Sequence, residues 1–254
     1  MKTTFRLAVA CGLMLVAGTA AVRAQMGGGA DQGPTAALNR ITQFLGKDAS
    51  YTADYETRIV SAGQKGAISM PFRLSLNRGD SRMDMDLAKA SIPDMSPAAV
   101  QIMQTMGLTR MSVLVTGPAE QKTGMLLYPE KKMACPLPQQ GKAKAGKTAA
   151  EPEPQVLGEE MVDGRLCVKK HLATTQDGMA VEATWWELKD KPGVMAKMQA
   201  KTSDGTIDLR LAKLDAAAPA ATLFQLPADC RKFPDMQQMM AAIMQENMQK
   251  MMQQ

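Results

Sequence analysis

Aromatic residues are scarce, at 4% of the 254 positions, and there is a single histidine, His171. Few rings are available for bases to stack on, so a nucleic-acid partner has little support. Charge gives no more help. The formal net charge is +5, but Lys2, Arg6 and Arg23 belong to the leader described below; without them 27 basic residues face 25 acidic ones and the charge falls to +2. A balanced surface offers no electrostatic track for phosphates. Catalytic templates are missing as well: no nucleotide-cradling glycine loop, no G-x-S-x-G elbow and no H-E-x-x-H, and His171 has no recognisable serine or cysteine nucleophile motif with it. Glu159-Glu160 is a carboxylate pair, but neighbours on a strand point to opposite faces and cannot share a substrate. The expectation is a non-enzymatic chain with no catalytic residue and no cofactor.

Long apolar runs are limited to the start. Lys2 and Arg6 form a positive n-region, Leu7 to Val22 an apolar h-region, and Val22-Arg23-Ala24 a small-residue cleavage site. Residues 1–24 therefore read as a secretory signal peptide, and the mature chain as periplasmic. Ala8-Val9-Ala10 before Cys11 is a poor lipobox. No later run is long enough to span a bilayer, so an integral membrane protein is not expected.

Cys135, Cys167 and Cys230 remain after cleavage. In an oxidising compartment one disulfide and one free thiol are expected, with all three pairings open. There is no C-x-x-C pair, and His171 is far in sequence from two of the cysteines, so no zinc pattern and no metal ligands are assigned.

Residues 25–33 are glycine-rich and read as a flexible N-terminus; Pro34 to Leu45 reads as a short helix closed by Gly46. Strands dominate after that. Tyr51, Ala53, Tyr55 and Ile59 alternate with Thr52, Asp54, Glu56 and Arg58; Phe72, Leu74 and Leu76 alternate with Arg73, Ser75 and Asn77; Met83, Met85 and Leu87 alternate with Arg82, Asp84 and Asp86. A helix follows, with Ser96 as N-cap, Pro97 at the first position, Val100, Met103 and Met106 on one face, and Gly107 at the end. Met111 to Val115 and Met125 to Cys135 return to strand. The Lys-, Ala-, Gln- and Pro-rich stretch 136–154 reads as a disordered insertion. Beyond it come Val156 to Val162, Arg165 to Thr174, Met179 to Leu188, Val194 to Thr202 and Thr206 to Leu214, separated by turns at Asp163-Gly164, Pro192-Gly193 and Asp204-Gly205. Nine or ten strands with one wet face favour a mainly β (α+β) fold, a single curved antiparallel sheet covered by one or two helices.

The tail, 234–254, is a Met- and Gln-rich amphipathic helix. With Asp235 as N-cap, Met236, Met239, Met240, Ile243, Met244, Met248, Met251 and Met252 form one stripe. That stripe suits packing on the sheet, closure of a cavity or a protein partner; thioethers at i and i+4 are also soft ligands for Cu(I).

The order helix, meander, helix, meander, with Leu126-Leu127-Tyr128-Pro129, the run Leu157-Gly158 to Val162-Asp163-Gly164-Arg165-Leu166-Cys167-Val168-Lys169-Lys170, and the closing Leu223-Phe224-Gln225-Leu226-Pro227, resembles the LolA/LolB-like superfamily, and more its secreted domains than its true lipoprotein carriers. The likeness runs from about Pro34 to Pro227, within a β domain set at 34–233. It implies an incomplete barrel whose apolar concave face can shelter acyl chains under helices, and it transfers no catalytic residue.

Leu74, Leu76, Met83, Met85, Val113, Val115, Trp185, Leu209 and Leu211 fall on apolar parities and are the candidate ligand-binding residues, with Ala183 on the same parity and Trp186 opposite, beside Glu182 and Thr184. The same parities would equally serve a dry core. Against five phenylalanines, 23 methionines give an adaptable interior. The expected function is a periplasmic binder of a lipid, an acylated peptide or another apolar small molecule. The alternatives are a Cu(I) protein using the tail and an interaction protein with a filled core.

Overall fold

Alternating apolar and polar residues become, in the computed structural model, the two faces of one sheet; the structure describes residues 49–61, 66–93, 95–118, 122–137, 153–176, 179–202 and 205–253. The leader 1–24, the segment 25–33, the helix expected at 34–45 and most of the insertion at 136–154 lie outside the described residues. The strands are β1 (Ser50–Ser61), β2 (Ile68–Asn77), β3 (Asp80–Asp86), β4 (Arg110–Thr116), β5 (Thr123–Tyr128), β6 (Met133–Pro136), β7 (Gln155–Val162), β8 (Arg165–Gln176), β9 (Met179–Leu188), β10 (Met195–Thr202), β11 (Gly205–Asp215) and β12 (Arg231–Lys232). The helices are α1 (Pro97–Thr105) and α2 (Met236–Met252).

The strand order is β12-β6-β5-β4-β3-β2-β1-β11-β10-β9-β8-β7. Two antiparallel meanders, β1 to β6 and β7 to β11, meet where β1 pairs β11; only β12 joins parallel, to β6. The sheet stays open, with β12 and β7 at its edges. This is the expected mainly β, curved antiparallel sheet with helices.

Among the described residues there are twelve strands, against the expected nine or ten. Part of the difference is Met125 to Cys135, expected as one strand and found as a β5–β6 hairpin. Pro129 has no amide to donate, Lys132 adopts a φ of 51°, and Lys131 and Lys132 donate their amides back to the carbonyls of Tyr128 and Pro129. The Asp163-Gly164 turn forms as expected, both residues holding the positive φ, 47° and 75°, that a two-residue hairpin requires.

One face, here called inner, carries the main core. A row of cross-strand partners runs Met133, Tyr128, Met111, Met85, Phe72, Tyr55, Leu211 from β6 to β11. Another runs Met70, Thr57, Leu209, Met198, Trp185, Lys170, Val156 from β2 to β7. Met239 and Ile243 of α2 are fully buried in the same cluster as Met133 and Cys135, so α2 covers the β6 side of this face. Met103 of α1 joins them.

Both helix ends form as the sequence indicates. The Ser96 hydroxyl accepts from the Ala99 amide and the Asp235 carboxylate from the Gln238 amide. Gly107, at a φ of 66°, closes α1 in a Schellman arrangement: its amide bonds the Gln104 carbonyl and the Leu108 amide the Met103 carbonyl.

The chain reaches α2 across the outer face. After β11 the segment 216–230 passes over the first meander, where the Arg82 guanidinium donates to the Leu223 carbonyl, the Asp84 carboxylate and the Ser112 hydroxyl. Leu226 packs on Leu114, Leu127 and Ala134, β12 adds to β6, and the chain then turns onto the inner face.

The expected disulfide does not form: Cys135, Cys167 and Cys230 are all free thiols. Cys135 points inward with Met133, Cys230 packs outward beside Ala134, and Cys167 lies in β8 within the other meander. Opposite faces and distant strands cannot bring sulfur atoms to bonding distance. Burial pushes the Cys135 thiol up to about 11 and raises those of Cys167 and Cys230.

Candidate ligand-binding face

All nine candidate residues face inward. Val113, Met83 and Leu74 are successive partners in one row with Ala53; Leu76 and Val115 flank Ser81 in the next. Met85 and Leu211 belong to the Tyr55 row, and Leu209 and Trp185 flank Met198. Leu74, Leu76, Met83, Met85, Trp185, Leu209 and Leu211 are buried, whereas Val113 and Val115 are half-buried.

The face is not covered evenly. Exposure rises across the second meander: Trp185 and Met198 are buried, Val168, Leu172 and Ala183 half-buried, and Val156, Met161 and Leu166 at the β7–β8 rim exposed. Val156 and Met161 are each about 60% exposed, a large apolar display for an edge strand.

A half-buried charged pair interrupts the apolar field in the second meander. Lys170 stands between Val156 and Trp185 in its row, and its Nζ lies 2.8 Å from Oε2 of Glu187, with the side chains 26% and 15% exposed. Tyr51 lies near Glu187. The Tyr51 hydroxyl donates to the Gly193 carbonyl at 3.3 Å, and burial together with the nearby Tyr55 and Glu187 pushes its pKa well above the ordinary phenol value. Burial pushes the Tyr55 phenol up to about 12, against the Tyr51 hydroxyl and the Met195 backbone, which lower it. Sequence reading passed over Lys170 and Glu187. The available signal was parity, because Glu187 is two residues from Trp185 and must share its face.

Trp186 does point the other way, yet it is as buried as Trp185. Lys169 and Lys197 lie over its ring at 4.9 and 4.4 Å, and its Nε1 donates to Glu160 Oε2 at 2.9 Å. Trp186 belongs to the same hydrophobic cluster as Val162, Cys167 and Leu188, and the two lysines lie over its ring. Glu159 pairs instead with Lys189, so the two adjacent carboxylates separate as strand geometry requires.

A cleft of about 630 Å³ opens on the outer face between the strap and the sheet, lined by Thr52, Arg82, Thr222, Gln225 and apolar strap residues. Among the described residues no group of three or more His, Cys, Asp or Glu side chains is placed to hold a metal ion. None of the described helices is long and apolar enough to cross a membrane.

No protein-family model matches the chain, and no curated protein matches it. Solved structures do. A LolA superfamily protein, NE2245 from Nitrosomonas europaea, is 8% identical over 74% of this chain and 95% of that one, with a TM-score of 0.36. LprF from Mycobacterium bovis is 13% identical over 76% and 98%, at 0.37. MucB, solved in complex with MucA(peri), is 16% identical over 78% of this chain and 61% of its own, at 0.38.

Proposed function

We propose that this chain is an exported, periplasmic, non-enzymatic binding protein whose inner sheet face shelters a lipid, an acylated peptide or another apolar ligand. The supporting observation is the gradient along that face, from buried Leu209, Met198 and Trp185 to exposed Val156, Met161 and Leu166 at the rim. A core that served packing alone would end in polar residues at the edge; an apolar strip that runs out to solvent suits a guest entering from the β7–β8 side. The signal-peptide pattern of residues 1–24 supports the compartment. Leu74, Leu76, Met83, Met85, Val113, Val115, Trp185, Leu209 and Leu211 are assigned as its walls, Trp185 and Leu209 nearest the entry side.

Native mass spectrometry of the mature chain purified from its own periplasm, with organic extraction, tests this reading. Near-stoichiometric lipid or acylated peptide is expected. Protein that carries none, and that takes up no apolar fluorescent probe, would overturn it. A second reading rests on the free end of α2, where Met248 and Met252 are exposed at i and i+4 spacing and could offer thioethers to Cu(I). An elemental scan of the same sample distinguishes the two: stoichiometric copper that disappears on deletion of residues 235–254 would move the site to the tail.

A further inference from the structure

We propose that the cleft between the strap and the outer face of the first meander binds an amphiphilic monocarboxylate of the fatty-acid type. This site lies on the side of the sheet away from the inner face. It stands independently of the reading of that face as an apolar binding surface.

The cleft measures about 630 Å³, a volume typical of small-molecule sites. Its floor is one cross-strand row, Thr52, Ser75 and Arg82 of β1, β2 and β3. Ser75 is fully buried and shares a hydrogen bond with the Thr52 hydroxyl at 3.2 Å, so Thr52 and Arg82 are the sheet residues that reach the cleft. The strap supplies the rest of the lining. It is held over the row by the bond from Arg82 Nη1 to the Leu223 carbonyl at 3.0 Å and by Leu226, which packs on Leu114, Leu127 and Ala134.

The lining selects the ligand. Among the described residues Arg82 is its one charged member, and no carboxylate belongs to it. A guanidinium carries five N–H donors. Nε serves both oxygens of Asp84, one Nη1 hydrogen serves the Leu223 carbonyl and one Nη2 hydrogen the Ser112 hydroxyl, so three of the five are used and two remain for the two oxygens of a carboxylate. The Thr222 hydroxyl and the Gln225 amide add neutral donors. A phosphate dianion would bring more charge than one guanidinium shared with Asp84 offsets, and an amine would meet no carboxylate in the lining. The remaining lining is prolyl, alanyl and leucyl, which suits an alkyl body behind the acid head.

The test follows backbone amide shifts of the full mature chain, isotope-labelled for NMR, during titration at neutral pH with octanoate, 1-octanol and octylamine. Octanoate should move the amides of residues 220–228 and bind about 10-fold more tightly than the alcohol or the amine, the scale of one charge-assisted hydrogen bond. Arg82→Lys keeps the charge but loses the planar fork, and should weaken octanoate about 10-fold. Ala228→Trp fills the cleft from an exposed strap position without touching Arg82, and should abolish the shifts. Octanol binding as well as octanoate, or octanoate binding unchanged by Ala228→Trp, would overturn the proposal. Shifts confined to β8, β9 and β10 would place the acid on the inner face and overturn it too. The absence of any shift with octanoate would overturn the site while leaving the inner-face reading untouched.

Discussion

The two meanders share a strand pattern but are completed differently. In the first, β1 to β6, both faces are covered: α1 and α2 bury Met103, Met239 and Ile243 against the inner side, and the 216–230 strap crosses the outer side, pinned by Arg82. Its edge is closed by β12. In the second, β7 to β11, the outer face is protected by charge and stacking around Trp186, and the inner face thins to an exposed rim. The outermost strand, β7, is exposed along nearly all its length, and a bulge between Val156 and Gly158 together with Glu159 and Glu160 discourages other strands from pairing with it. Burial is concentrated where both faces are covered, and the exposed apolar surface lies where they are not.

Matched truncations test this contrast most strongly. Leu126→Ala, at a fully buried position between β4 and β6, should cost about 3 kcal/mol, because the transfer energy and a cavity add. Leu172→Ala, half-buried on β8, should cost about 1 kcal/mol, since much of that side chain already meets water. Urea denaturation of the two variants and the wild type measures both. Equal losses would mean that the rim is as tightly packed as the helix-covered side.

The first meander was also the easier to read from sequence. Its strands alternate cleanly, because each residue faces either a hydrophobic cluster or water, and Ser96, Pro97 and Asp235 mark the helix starts chemically. The Met125 to Cys135 hairpin escaped because continuous apolar residues hid a turn that only Pro129 signalled. The strap and β12 escaped because neither has a period: one is held by a guanidinium on a carbonyl, the other by two residues of pairing. Face assignment held for all nine candidate residues, since parity alone decides it. What parity could not supply was depth. Trp186, on the opposite parity, is as buried as Trp185, and Lys170 and Glu187 become a pair only when β8 and β9 are assembled.

Alkaline pH should separate the regions by a smaller margin. Burial, with a contribution from Cys135, pushes the Tyr128 phenol of the first meander up to about 12, and burial does the same for Tyr55 at the seam. A raised value in the folded state means that the unfolded chain ionises first. Their contribution is therefore complete below the ordinary phenol value of about 10 and is lost as pH rises from there to about 12, up to about 3 kcal/mol for each tyrosine. Unfolding free energies of the wild type and Tyr128→Phe, measured from pH 8 to 12, should diverge in slope above pH 10, with the variant flatter. Parallel curves would place the Tyr128 hydroxyl in contact with water and weaken the view of the first meander as the dry half.

The smallest effect concerns charge on the outer face of the first meander. Asp54 on β1 accepts from Arg73 on β2 through both oxygens, Oδ1 to Nε at 2.7 Å and Oδ2 to Nη2 at 3.1 Å, and the guanidinium holds its carboxyl below the usual range. A lowered value places the stabilisation above the ordinary carboxylate value of about 4 and removes it as pH falls through the folded value. Because the pair is largely exposed, it should contribute less than about 1 kcal/mol. Asp54→Asn should therefore trail the wild type slightly at pH 7 and match it near pH 2, as measured by urea midpoints. A gap of several kcal/mol at pH 7 would mean that paired charge, and not the covered core, carries the stability of the first meander, and the contrast with the Trp186 side would then be one of degree.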